Sequence, residues 1–146
     1  MNDRQTDSET NHFDDDTFFQ DTIVGAVVVT STALGGGYLC GLMIDQFGAT
    51  GGISLWALGF VSGSMAVKTT HGRSLVLAGA LIAACVAAFV IAEVLWIHWN
   101  IKDADTLSAA LAKFPLFLKE YKVSAFIAGV FTFFGCHSAY RQIAPR

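Results

Sequence analysis

With 146 residues, 53% of them hydrophobic and only 14% charged, and a mean hydropathy of +0.52, the chain is too apolar for a soluble domain of its size. The net charge of -3 hides an acidic first segment, which argues against direct attraction to nucleic acid or anionic lipid, and a slightly basic remainder. The charges fall before residue 22, in short gaps and near residues 102–122, which leaves four almost uncharged blocks.

Residues 1–21 carry seven acidic side chains against a single Arg4, with few large apolar residues before Phe13, and are expected to form a disordered acidic tail. Asp14, Asp15 and Asp16 could draw a cation, but adjacent carboxylates without an ordered loop make a weak site. A basic partner suits the tail better. A secretion signal needs a positive region before its apolar run, so "NHFDDDTFFQD" predicts that the first apolar block is kept as a membrane span.

A helix crossing the hydrocarbon needs about 20 mostly apolar residues. The expected spans are 22–44, 48–67, 74–96 and 123–140, making residues 22–146 one four-helix transmembrane domain. Phe18, Phe19, Tyr38, Trp56, Trp96, Trp99, Tyr121 and Tyr140 fall near the expected interfaces, where amphipathic rings are favoured. The fold class is therefore an all-α integral membrane protein. An even count puts both termini and the "KTTHGR" loop on one side, with Arg4, Lys68, Arg73, Arg141 and Arg146; Lys102, Lys113, Lys119 and Lys122 lie opposite. The short loops favour cytoplasmic termini.

The stretch "GGGYLCGLMIDQFGATGG", residues 35–52, raises a phosphate-binding reading, which fails. The Walker register Gly36 to Gly41 is followed by Leu42, and the dinucleotide fingerprint has Cys40 in place of its third glycine, with no strand before it. Helix packing remains. Gly37 and Gly41 are four apart, as are Gly59 and Gly63, and such pairs let backbones approach closely in lipid. The expectation is a zipper joining spans one and two, with Asp45 to Phe47, Gly48, Gly51 and Gly52 as the tight connection.

Span three carries two adjoining small-residue rows, Gly79, Ala83, Ala87 and Ala80, Ala84, Ala88, Ala92. They suit contact with another span or with a second copy of the chain. Span four has a thinner version in Ala125, Ala128, Gly129 and Thr132 among phenylalanines that face lipid or fill the bundle. Cys40, Cys85 and Cys136 sit in three different blocks, neither a disulfide framework nor a metal spacing, and read as small buried residues.

Glu93 is the acidic residue inside a span, a functional candidate by default. Trp96 lies three residues on, close enough to the interface for the carboxylate to snorkel toward water. Two histidines on facing helices can ligate haem, but His98 and His137 should point to opposite faces. His71 and His137 share a face at different depths, so a hydrogen-bonding role fits His137 better, and no cofactor is expected. The chain contains no HExxH, CxxC or GxSxG. Ser54, Ser62, Ser64, Thr30, Ser31 and Thr32 can all bond to carbonyls of their own helices.

Between spans three and four, Leu107, Leu111, Phe114, Leu118 and Tyr121 form one apolar stripe, with Asp105 or Thr106 as a cap. Lys113, Lys119, Glu120 and Lys122 fall away from it, as in an amphipathic helix on a membrane surface. Pro115 predicts a kink or two short helices meeting at Phe114 and Pro115. The Gly-rich hairpin, the "HGRS" connection and the Ala-rich span loosely resemble many small bacterial membrane proteins, which implies a bacterial inner membrane; no named family follows.

The leading functional expectation is a non-enzymatic structural or assembly subunit, with lipid as its surroundings and copies of itself or other subunits as partners. The competing readings are a small oligomeric channel or transporter with Glu93 near its path, and a haem-bearing anchor resting on His71 and His137.

Overall fold

The computed structural model describes residues 20–70 and 74–143. Among them the protein is all helix, 93% of it, with no strand. The expectations for the acidic tail, Phe18, Phe19, His71, Arg73 and Arg146 lie outside the described residues. Helix α1 covers residues 20–47: α-helical to residue 31, a π-helical turn at Thr32–Gly36, then α-helical over Gly37–Phe47. The wide turn falls at "TALGG", where the Thr32 hydroxyl donates to the Val28 carbonyl at 2.8 Å and two glycines remove the crowding that favours regular α geometry.

The chain then reverses. Gly48 has φ 61°, a conformation that side chains resist, and it opens a 3-10 turn over Gly48–Gly52. In that turn Gly51 sits so tightly on the backbone of Met43 and Ile44 that no side chain would fit. Helix α2, Ile53–Thr69, returns beside α1, with Leu58 against Gly36. Helix α3 covers Leu75–Asn100, α4 Leu107–Glu120 and α5 Lys122–Ile143. Both α3 and α4 begin at hydroxyl caps. Ser74 Oγ accepts the Val76 amide and Thr106 Oγ1 accepts the Ala109 amide, each at 3.2 Å. Thr106→Ala is expected to weaken α4 by about 1 kcal/mol, seen as faster hydrogen exchange of its first-turn amides with α3 unchanged.

Three segments are long and apolar enough to cross a membrane: Gln20–Thr69, Leu75–Asn100 and Lys122–Ile143. The protein is a membrane protein. The first segment holds 50 residues and contains the reversal just described.

Helix α3 is the most apolar, with a mean hydropathy of 2.8 over its best window, and it contributes to all three core clusters. One joins Ala66, Ala78, Leu81 and Ile143; a middle one joins Cys40, Ile44, Leu55, Ala92 and Ala128; a third joins Val94, Ile97, Ala104, Ala110, Phe117 and Ala125. A helix apolar all round has no reason to leave a polar face toward water, so it becomes the hub on which the others pack.

The close seams are not those the spacing suggested. Gly37 rests on Ala88 and Ile91 of α3, and Gly41 on Ala92 and Leu95. Gly59 rests on Gly135 of α5 and Gly63 on Ala139. Each glycine pair therefore faces a helix later in the chain, instead of the other pair across the α1–α2 hairpin. Small-residue spacing identifies a face that admits a close neighbour and carries no information about which neighbour comes. In α3 the inward row is Ala84, Ala88 and Ala92, while Gly79 and Ala83 point outward and Ala87 is half-buried.

Helix α4 lies across α3, with Phe114 against Phe89 at 6.4 Å, Phe117 against Trp96 at 5.3 Å and Tyr121 against Trp96 at 5.5 Å between ring centroids. Its buried stripe is Ala110 and Phe117 with Phe114 partly covered, and Leu107, Leu111 and Leu118 stay exposed beside it. The aromatic rings, with more surface to bury, set the rotation of the helix ahead of the leucines. Pro115 does not divide α4, which runs unbroken from Leu107 to Glu120. The hydrogen bond it removes falls on the exposed side, where Leu111 and Pro115 both lie.

Candidate functional site

Two polar features within the bundle stand out, a group of thiols and hydroxyls and the buried Glu93. The first is near the middle of α3. Cys85, buried on α3, lies near Cys136 of α5 and the Ser62 hydroxyl of α2. Cys136 Sγ also lies 3.9 Å from the Ile82 carbonyl, one turn before Cys85. Cys40 of α1 contacts Ser54 of α2. Cys40 and Cys85 are buried as small residues and Cys136 is half-buried, and the fold brings Cys85 and Cys136 near each other across 50 intervening residues.

The hydroxyls divide between two roles. Thr32 and Ser62 bond to Val28 and Leu58 carbonyls at 2.8 Å, and Ser54 to the Gly51 carbonyl at 2.6 Å, all within their own neighbourhood. Ser64 instead donates to Gln142 Oε1 at 2.7 Å, while Gln142 Nε2 donates to the Phe60 carbonyl at 3.3 Å. This polar clasp between α2 and α5 reinforces the glycine seam.

The second is Glu93. It is 1% exposed, and its Oε1 has no hydrogen-bond partner. Phe89 and Trp96, one turn to either side, are the residues that Phe114 and Phe117 of α4 cover. The carboxyl thus lies beneath α4 and does not snorkel. The one-dimensional distance to Trp96 suggested an escape to water, but a helix laid across that flank closes it.

A groove of about 550 Å³ opens between α3 and α5, lined by Ile82, Val86, Phe89, Phe133, Cys136 and His137 among others. His137 is exposed there and stacks on Phe133 at 6.5 Å between centroids. His98 Nδ1 lies 2.6 Å from the Ala104 carbonyl, tying the end of α3 to the turn before α4. These two histidines do not meet, and His71, the other half of the haem reading, lies outside the described residues. Among the described residues, no three His, Cys, Asp or Glu side chains gather closely enough to hold a metal ion.

At the α4 end, Asn100 Nδ2 donates to Asp45 Oδ1 at 2.6 Å, linking the ends of α3 and α1. Lys113 Nζ donates to the Lys102 carbonyl at 3.1 Å, and Asp103, at φ 66°, makes the turn between them. The lysine contact ties α4 to the end of α3. Comparison with known proteins found no matching family model, no matching curated protein and no matching solved structure.

Proposed function

We propose that the protein is a structural or assembly subunit of a bacterial inner membrane, a compact bundle of four membrane-crossing helices without catalytic activity of its own. The observation that carries this reading is the packing: Gly59 against the Gly135 backbone, Gly63 against Ala139, and Gly37 and Gly41 against the alanines of α3. Such contacts consume the distinctive residues of the sequence in holding helices together.

Four crossings follow from the first apolar segment. As one straight helix its 50 residues would reach about 75 Å, against about 30 Å of hydrocarbon, and the turn at Gly48–Gly52 divides it in two. Helix α4 then lies at the interface, its exposed Leu107, Leu111 and Leu118 toward acyl chains and its lysines toward headgroups. Both termini are cytoplasmic in this arrangement.

The outward row of Gly79 and Ala83, where nothing lies within 4 Å of a side chain added at Gly79, is the place for a second copy or another subunit. Native mass spectrometry of protein extracted gently from its own membrane tests this. The expected result is a discrete assembly that a Gly79→Leu, Ala83→Leu double variant reduces to the single-chain mass. A single-chain mass for the unaltered protein overturns the proposal.

A second reading, a small oligomeric channel or transporter, has one observation in its favour, the buried and unpartnered Oε1 of Glu93. An intramembrane carboxyl of this kind suits ion or proton handling.

A further inference from the structure

Cys85 and Cys136 are brought together by the fold from helices far apart in the chain. The geometry that carries the pair is the approach of Cys136 Sγ to the Ile82 carbonyl, one turn before Cys85, at 3.9 Å, which places the two thiols near each other. Both cysteines are free thiols. Disulfide formation requires Cα atoms within about 7 Å, and the two cysteines lie where α5 packs on the turn of α3 that runs from Ile82 to Cys85.

The two thiols are not equally accessible. Cys85 is 2% exposed, whereas Cys136 is half-buried and forms part of the groove wall. An oxidant in the groove therefore meets Cys136 first and has Cys85 directly behind it.

The walls of the groove restrict what that oxidant is. Ile82, Val86, Phe89 and Phe133 are apolar, so the occupant arrives through the bilayer and not from water. Two aromatic side chains suit a flat ring, and His137 and Tyr140 at the same wall can donate hydrogen bonds to its carbonyl oxygens. A dithiol gives up two electrons and two protons together, and a quinone is the membrane-soluble class that takes up both. The volume of about 550 Å³ is in the range of a small-molecule site.

We propose that Cys85 and Cys136 form an oxidisable dithiol whose electron acceptor is a membrane quinone seated in the groove between α3 and α5. In the step, two S–H bonds break and one S–S bond forms. The electron pair passes to the quinone ring and the two protons to its two carbonyl oxygens, leaving a hydroquinone. The product is a covalent staple between α3 and α5, formed once per chain. The staple would make the rigidity of the bundle depend on the oxidation state of the quinone pool, and it does not rest on the assembly role.

The test uses the full chain, reduced and reconstituted in lipid nanodiscs. It is exposed either to a fully ring-substituted benzoquinone with a short alkyl tail, which thiols cannot arylate, or to diamide as a groove-independent thiol oxidant. Alkylation followed by intact mass counts the remaining thiols. Both reagents are expected to leave one alkylatable cysteine of three, Cys40, with one hydroquinone formed per disulfide in the quinone arm and diamide reduced to its hydrazine in the other. Cys85→Ser and Cys136→Ser abolish the reaction.

Gly129 lines the groove and has nothing within 4 Å of an added side chain. Gly129→Phe therefore fills the groove without touching the thiols. It is expected to slow quinone oxidation by about tenfold or more, a decade in docking affinity, and to leave diamide oxidation unchanged. Failure of diamide to form the Cys85–Cys136 disulfide overturns the dithiol. Equal quinone rates in Gly129→Phe and the unaltered protein overturn the groove as the quinone site.

Discussion

Gly59→Leu is expected to lower stability by about 3 kcal/mol or more, at or beyond the upper end of ordinary overpacking. A side chain at position 59 would collide with the carbonyl, the carbonyl carbon and the Cα of Gly135. These are backbone atoms of another helix, so the clash is relieved only by separating α2 from α5. Separation also breaks the Ser64–Gln142–Phe60 clasp. The measurement is the thermal midpoint in detergent, followed by tryptophan fluorescence. Gly35→Ala serves as the comparison, because nothing lies within 4 Å of a side chain added there, and it should be neutral or slightly stabilising as a helical glycine replaced by alanine. Equal losses in the two variants would show that the seam is not where the tight contact lies.

Glu93→Met is expected to raise stability by about 1 to 3 kcal/mol. A buried polar atom without a partner carries its full desolvation penalty, and methionine fills a similar space with no such atom. The same thermal measurement reads this, and a fall in the midpoint would mean that the carboxyl has a bonding partner in the membrane-embedded protein. Glu93→Gln separates the two functional readings. The channel reading expects cation or proton flux into liposomes that this substitution removes; absence of flux from the unaltered protein leaves that reading without support.

The apolar blocks made the helices of this protein legible from sequence, because hydrocarbon-length runs of Leu, Ile, Val, Phe and Ala have few alternatives to helix. The expected 74–96 and 123–140 correspond to Leu75–Asn100 and Lys122–Ile143, both longer at the C-terminal end. The extra turn of α3 contains Trp99 and Asn100, polar or amphipathic residues that a hydropathy reading cuts away. The glycine turn at 48–52 was legible too, since Gly48, Gly51 and Gly52 mark a reversal by composition.

What could not be read was contact between helices. The partners of Gly37 and Gly59 depend on how the later helices are arranged around α3, and nothing in the spacing of either pair distinguishes a neighbour in sequence from one in space. The same reason hid Cys85 and Cys136. Each is an isolated small residue on its own helix, and only the antiparallel alignment of α3 and α5 places them together. Glu93 stood out in the sequence as an acid inside an apolar run, but its surroundings depend on α4 crossing over it, and that crossing depends on where the rings of Phe114 and Phe117 find cover.

The pairing of the glycines has a consequence for how the protein is made. A ribosome delivers α1 and α2 to the membrane well before α5 exists, and the Gly59 and Gly63 face of α2 has its partner in Gly135 and Ala139. Until those residues emerge, the hairpin sits in the bilayer with a bare groove along α2. Insertion therefore precedes consolidation. A chain halted after α3 would keep the α1 contacts at Gly37 and Gly41 yet present the bare face of α2 to any passing helix, which makes premature termination in the last helix the kind of error a membrane protease is placed to detect.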